Sequence, residues 1–236
     1  MNAEEVSTVE WTNQTNKSVV FLSMVHIGKP EFYQGAQKKI HEFKSKGYIV
    51  FYEGVKAGHI PDSALSPAVI KKCMKYPEVK NKNPDSLSRS IYNTKFRRMT
   101  GFYLDTSFYL NLMSNYNVFR KKMAQPTSRQ LGIAETDLNI DVTTVELVNM
   151  YEKTYGEIDL EQIDFAVPYS ESLPGFRKLK HKRVNNIIIN YRNKNLAISI
   201  QNSKYCKILV VYGLDHQKGT FELLYHLDNS WRIFKN

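Results

Sequence analysis

Two histidines of this chain stand in matching surroundings, and a glutamate ends a strand-like run downstream of the first. His26 closes the segment Ser23-Met24-Val25-His26, and His216 closes Gly213-Leu214-Asp215-His216. Each lies four residues past the last apolar residue of a run, counted from Leu22 and from Tyr212. Each is followed by a glycine, Gly28 or Gly219, and then by a helix-forming stretch. Glu53 follows Tyr48-Ile49-Val50-Phe51-Tyr52. Two imidazoles and a carboxylate suit a transition metal and leave a position open for water. Such a metal lowers the pKa of its bound water to about 7, which yields hydroxide at neutral pH. The same groups also suit metal-free hydrolysis, with one histidine as general base and Glu53 as its orienter or as the acid. A lone loop histidine is most often merely solvated. The repetition of strand, loop and helix around both is what argues for one shared site.

The elements that must position these residues can be read from the apolar pattern. Val19-Val20-Phe21-Leu22, Tyr48 to Tyr52 and Lys207 to Tyr212 are continuous apolar runs, as expected of buried parallel strands. Phe32, Ala36, Ile40 and Phe43 recur at helical spacing within Glu31 to Lys46, and Gly47 ends that helix. This is a strand–helix–strand unit, whose crossover should be right-handed. Further helices are expected from Thr143 or Thr144 through Tyr151, over Val184 to Gln201, and over Thr220 to Leu227 after a loop from Gly213 to Gly219. A short strand is expected over Leu131 to Thr136, ahead of Asp137, and a last one over Trp231 to Phe234. The fold class is α/β, a mixed but largely parallel central sheet flanked by helices, with two similar strand–loop–helix halves. Residues 1–17 read as a tail, and 18–236 as a single domain with a helical insertion around 57–125. In open α/β sheets, sites form outside the carboxyl ends of the strands. His26, Glu53 and His216 would share that edge.

Composition narrows the partners. Of 236 residues, 42% are hydrophobic and 24% charged, which is ordinary globular composition and argues against bulk disorder. The formal net charge is +10, which raises nucleic acid or an anionic membrane as partners. Residues 71–98 hold nine Lys and Arg, but without the interleaved aromatics of a single-strand platform. No zinc-finger, RNA-recognition or basic-zipper signature occurs. That stretch therefore reads as a solvated basic face rather than a nucleic-acid site. Residues 135–164, with nine acids against Lys153, read as a solvated acidic one. Two cysteines, Cys73 and Cys206, are too few for a disulfide scaffold, and Cys206 reads as a buried thiol. The start is acidic and polar, unlike a secretory leader, and no apolar run is long enough to span a bilayer. The sequence as written implies a cytoplasmic protein, or a periplasmic or extracytoplasmic one should a leader have been removed.

In order and spacing, the motifs resemble those of the TraB/PrgY/GumN family, which is related to the Tiki metalloproteases, the erythromycin esterases and the ChaN-type haem-binding proteins. The resemblance runs from about residue 18 to Trp231. It is carried by Ser-Met-Val-His-Ile-Gly-Lys-Pro-Glu-Phe-Tyr, by Phe-Tyr-Glu-Gly-Val, and by Ala134-Glu135-Thr136-Asp137-Leu138. Tyr191-Arg192-Asn193-Lys194-Asn195-Leu196-Ala197 and Val211-Tyr212-Gly213-Leu214-Asp215-His216 complete it. Ser23 departs from the glycine of the family's first motif. The resemblance implies His26, His216 and Glu53 as ligands of a divalent transition metal (Mn, Co or Zn), with haem the lesser alternative. It implies Glu53, Arg192 and Asp137 as catalytic residues, the guanidinium binding a carboxylate or an oxyanion. The activity implied is that of a Tiki-like, metal-dependent peptidase acting on a peptide or a small molecule. The alternatives are a metal-free esterase or amidase, and a protein that binds a peptide or haem without turnover.

Overall fold

Two long apolar strands, β2 (Ser18–Met24) and β7 (Lys207–Gly213), pair in parallel from Ser18↔Lys207 to Met24↔Gly213. On the other side of β7 runs β4 (Ile49–Tyr52), again parallel, and beyond it the short β6 (Leu138–Asn139), parallel to β4. Antiparallel strands complete the opposite edge: β1 (Thr8–Thr12) on β2, and β8 (Arg232–Phe234) on β1. The order is β6-β4-β7-β2-β1-β8. The fold is thus α/β with a mostly parallel six-stranded sheet flanked by helices. A separate two-residue ladder joins β3 (Ile27–Gly28) to β5 (Met123–Ala124).

The computed structural model of the chain describes residues 6–61, 65–101, 113–114, 121–168, 171 and 179–234. They fall into two compact units, one built from Met1–Gly54, Tyr109–Asp141 and Ile189–Asn236, the other from Val55–Phe108 and Val142–Ile188. The second unit therefore draws on two stretches, not on one insertion around 57–125. The aromatic positions Phe102, Tyr103, Phe108, Tyr109 and Phe119 lie outside the described residues. Among those described, no helix is long and apolar enough to cross a membrane.

In the sheet unit, strand alternation sends Val19, Phe21, Ile208, Val210 and Tyr212 to one face, and Val20, Leu22, Met24, Leu209 and Val211 to the other. The first face is covered by α7 (Arg192–Asn202), through Leu196, Ala197 and Ile200, and by Leu224 of α8 (Gln217–Leu227). Phe32, Tyr33, Ala36 and Ile40 of α1 (Pro30–Ser45) cover the second, with Leu131 and Ile133. Burial on both faces is why these strands read as continuous apolar runs rather than as alternation. At the far end of α7, the Lys17 ammonium donates to the carbonyls of Ile200, Gln201 and Ser203 at 2.9, 3.0 and 2.8 Å. It satisfies carbonyls that a helix terminus otherwise leaves without partners.

The second unit contains α2 (Pro67–Cys73), α3 (Pro84–Thr100), α4 (Thr144–Tyr155), α5 (Gln162–Ala166) and α6 (His181–Asn185). Their starts follow the chemistry of the chain: Ser66 and Asn83 cap α2 and α3, and a Thr143/Glu146 capping box starts α4. Here the two charged stretches meet. Lys95, 2% exposed, pairs with Glu152 at 2.7 Å, and Arg98 with the buried Asp164 at 3.2 Å. Arg97, fully buried, donates to the carbonyls of Asp164, Val167 and Pro168. The solvated-face reading fails for these residues because basic and acidic segments partly neutralise each other inside the unit.

Other expectations also change. Residues 8–12 are a strand rather than tail, Leu131 to Thr136 is a turn-rich segment with the strand falling at Leu138–Asn139, and Cys206 is exposed while Cys73 is buried. The segment from Gly213 to Gly219 is not a loop: a 3-10 turn, Leu214–His216, runs directly into α8. Because Leu209 is fully buried in the central strand, Leu209→Ala is expected to cost about 2–5 kcal/mol in urea unfolding. Ile233→Ala on the exposed edge strand should stay within roughly 0.5 kcal/mol; equal costs for the two would contradict the sheet order.

Candidate functional site

The site is assembled where the parallel strands end. Glu53 is the first residue past β4, and its backbone N–H still donates to Val211 O at 3.0 Å, which continues the ladder and fixes its position. Its carboxylate accepts from Gly213 N at 2.6 Å, at the end of β7. A side chain at 213 would be crowded there, since a Cβ would lie 3.2 Å from Glu53 Oε2. Two residues past β6 comes Asp141, whose N–H donates to the Asn139 side chain while Asn139 Nδ2 holds Gly54 O at 2.8 Å. Gly54 N in turn donates to Asp141 Oδ2 at 3.1 Å. Neighbouring strand ends thus hold two carboxylates near each other.

Between them lies Arg192, the first residue of α7. A six-residue π-helical turn, Asn186–Tyr191, precedes it, an irregularity often found at functional sites. Asn195 Nδ2 donates to Ile140 O at 2.6 Å and anchors this end of α7 to the Asp141 segment. The guanidinium donates from Nε to Asp141 Oδ1 at 2.9 Å, and from Nη2 to Asp141 Oδ2 and Glu53 Oε1, both at 2.6 Å. Nη1 faces His216 Nε2 at 3.3 Å. The Tyr212 hydroxyl also donates to Asp141 Oδ1, at 2.6 Å, and its ring lies edge-on to that of His216 with centroids 4.9 Å apart.

The electrostatics follow from burial. Arg192 is 5% exposed, and burial alone would disfavour its charge, but Asp141 and Glu53 reverse that and raise its pKa. Burial raises the Tyr212 pKa, opposed by the Arg192 charge and assisted by Asp141 and Glu53. His216 is pushed down to about 4, first by burial and then by the Arg192 charge, so it is neutral at neutral pH. The group then carries two carboxylates against one guanidinium, and Glu53, whose side chain is 17% exposed, is the more accessible carboxylate.

Glu53, Arg192 and His216 of the expected set come together. His26 follows β2 on the same edge, two residues past Met24, the register partner of Gly213. Its imidazole is exposed, its carbonyl accepts from Gln125 N at 2.8 Å, and Ile27 after it enters the β3–β5 ladder. Among the described residues, no three His, Cys, Asp or Glu side chains converge to hold one ion. His26, His216 and Glu53 are therefore not joined as a ligand set. The donors fit a cation poorly in any case, since His216 Nε2 and Glu53 Oε1 both point at a guanidinium. Asp137 is not part of the cluster. It accepts from Ala134 N and Val50 N and pairs with Lys44 at 2.6 Å, holding the start of β4 three residues before Glu53. The aspartate that pairs with Arg192 is Asp141. Tyr212 and Asn193 are further members that no separate sequence signal marked, although both lie within the motifs that carry the family resemblance.

Comparison of the chain with protein-family models, curated proteins and solved structures gives no match.

His216 makes the site sensitive to acid. The unfolded imidazole takes up a proton below its ordinary value of 6.5, the folded one only near 4. Stability from this residue is therefore complete above that window and falls as pH drops through it, by roughly 3 kcal/mol. Urea unfolding of wild type and His216→Gln should show a stability difference that shrinks from neutral pH toward the bottom of that window; a difference independent of pH would contradict the neutral, buried imidazole.

Proposed function

We propose that the chain is a hydrolase that cleaves an ester or amide without a metal, at the carboxyl edge of its sheet. The observation that carries this reading is the buried Arg192, held in place by Glu53 and Asp141 beside the neutral His216. A guanidinium offers five N–H groups. Among the described residues, four of them are used on Glu53, Asp141 and His216, and one N–H on Nη1 is left over. A fixed, water-poor positive charge with a donor to spare suits stabilisation of a developing oxyanion.

The proton acceptor for the attacking water is His26, the exposed imidazole that follows β2 on this edge. Glu53 orients Arg192, accepting from its Nη2 on one oxygen and from Gly213 N on the other. The metal-dependent, Tiki-like form of the reading asks His216 Nε2 for a lone pair that is turned toward Arg192, so the arrangement favours the metal-free form. The resemblance of the motif order to the TraB/PrgY/GumN proteins supports the hydrolase class and, with it, placement of the chain in that group.

The test is turnover of p-nitrophenyl esters and a peptide library by the full chain, with and without chelator. Activity should survive chelation. Arg192→Lys should lower kcat/KM by about 10²–10³-fold, and His26→Ala should lower kcat by about 10²–10⁴-fold, with thermal unfolding followed in parallel. Activity abolished by chelator and restored by a divalent metal would return the metal-dependent reading. Retention of a peptide with no cleavage across the panel would make the chain a binding protein.

A further inference from the structure

The protonation pattern of His216 is fixed by its neighbours. Arginine only donates hydrogen bonds, so the approach of Arg192 Nη1 to Nε2 requires a lone pair on that nitrogen. The ring proton then sits on Nδ1, which donates to Asn193 Oδ1 at 2.6 Å. This bond is much the shorter of the two, and both partners are buried, at 3% and 2% exposure. The carboxamide is itself oriented. Thr220 Oγ1, fully buried, approaches the same Oδ1 at 3.5 Å. The other end, Nδ2, lies over Gly219, where a Cβ would collide with it. Gly219 is therefore a helical glycine of α8 retained for space, in a position where glycine is otherwise unfavourable.

We propose that Asn193, given room by Gly219, is a positioning residue that selects the Nδ1–H tautomer of His216 and so presents Nε2 as an acceptor to Arg192. The chain of contacts runs from Thr220 through Asn193, His216 and Arg192 to Glu53. Without the Asn193 acceptor, Nδ1–H would be a buried donor lacking a partner, and moving the proton to Nε2 would set two donors against each other at Arg192. Asn193 removes that conflict, and the imidazole then steadies the guanidinium on the side away from Asp141. The consequence for turnover rests on the hydrolase reading; the tautomer itself does not.

Long-range proton–nitrogen correlation spectra of the nitrogen-15-labelled full chain at neutral pH read the tautomer directly, with His216→Gln identifying the signal. Wild type should show a protonated Nδ1 and an unprotonated Nε2 at His216. Asn193→Leu and Gly219→Ala should each lose the single Nδ1–H form, whereas Asn193→Asp, which keeps an acceptor oxygen, should retain it. Wild-type protonation on Nε2 overturns the proposal, as does an unchanged Nδ1–H signal in Gly219→Ala or in folded Asn193→Leu. No substrate is needed, so the role of Asn193 is tested even in a chain that hydrolyses nothing. An intact tautomer without turnover counts only against the hydrolase.

Discussion

A buried guanidinium that cannot give up its proton constrains everything around it. Taking such an ion out of water costs several kcal/mol, and only well-placed opposite charge offsets that cost. Arg192 receives Glu53 and Asp141 on two of its sides. Neither carboxylate is near it in sequence. Each is delivered by a strand end, one from β4 and one from β6, and those ends coincide because the two strands run parallel in register, Phe51 opposite Leu138 and Tyr52 opposite Asn139. A slip of one residue would turn one carboxylate to the opposite face of the sheet and leave the arginine uncompensated. Sheet register and site electrostatics are therefore the same constraint seen at two scales.

What could be read from the sequence followed from the strength of the local signal. β2, β4 and β7 are buried on both faces, so their composition alone marks them, and the residues just past two of them, Glu53 and His216, could be assigned to the edge. β6 is two residues long and has no periodicity to detect. The aspartate past it therefore carries no signal of its own: Asp137 precedes the strand and Asp141 follows it, a difference that only the ladder reveals. The histidine echo was half informative. Both histidines follow paired strands, yet one ring is buried against Arg192 and the other is exposed: the chain after Gly213 forms a 3-10 turn, whereas the chain after His26 enters a small separate ladder.

The charge pattern gave the opposite lesson. A run of nine basic residues looks like a surface when read alone, and so does a run of acids. Lys95, Arg97 and Arg98 lie on α3 among its apolar residues; Glu152 and Asp164 pair with Lys95 and Arg98, and backbone carbonyls receive Arg97. Net charge overstates the field such a protein presents, since several of its cations are spent on interior contacts.

The position of β7 in the sheet also has a consequence for how the chain is made. Among the described residues it is the seventh of eight strands in chain order, yet it lies between β4 and β2, which are not paired with each other. During synthesis β2 and β4 emerge without the strand that joins them, and two carboxylates destined for the interior are made well before their arginine. The ladder must wait for distant segments to meet, a high-contact-order closure that is slow and leaves apolar strand edges open meanwhile. Assembly of the sheet and of the site therefore waits for β7, and a chain cut before it lacks both the central strand and His216.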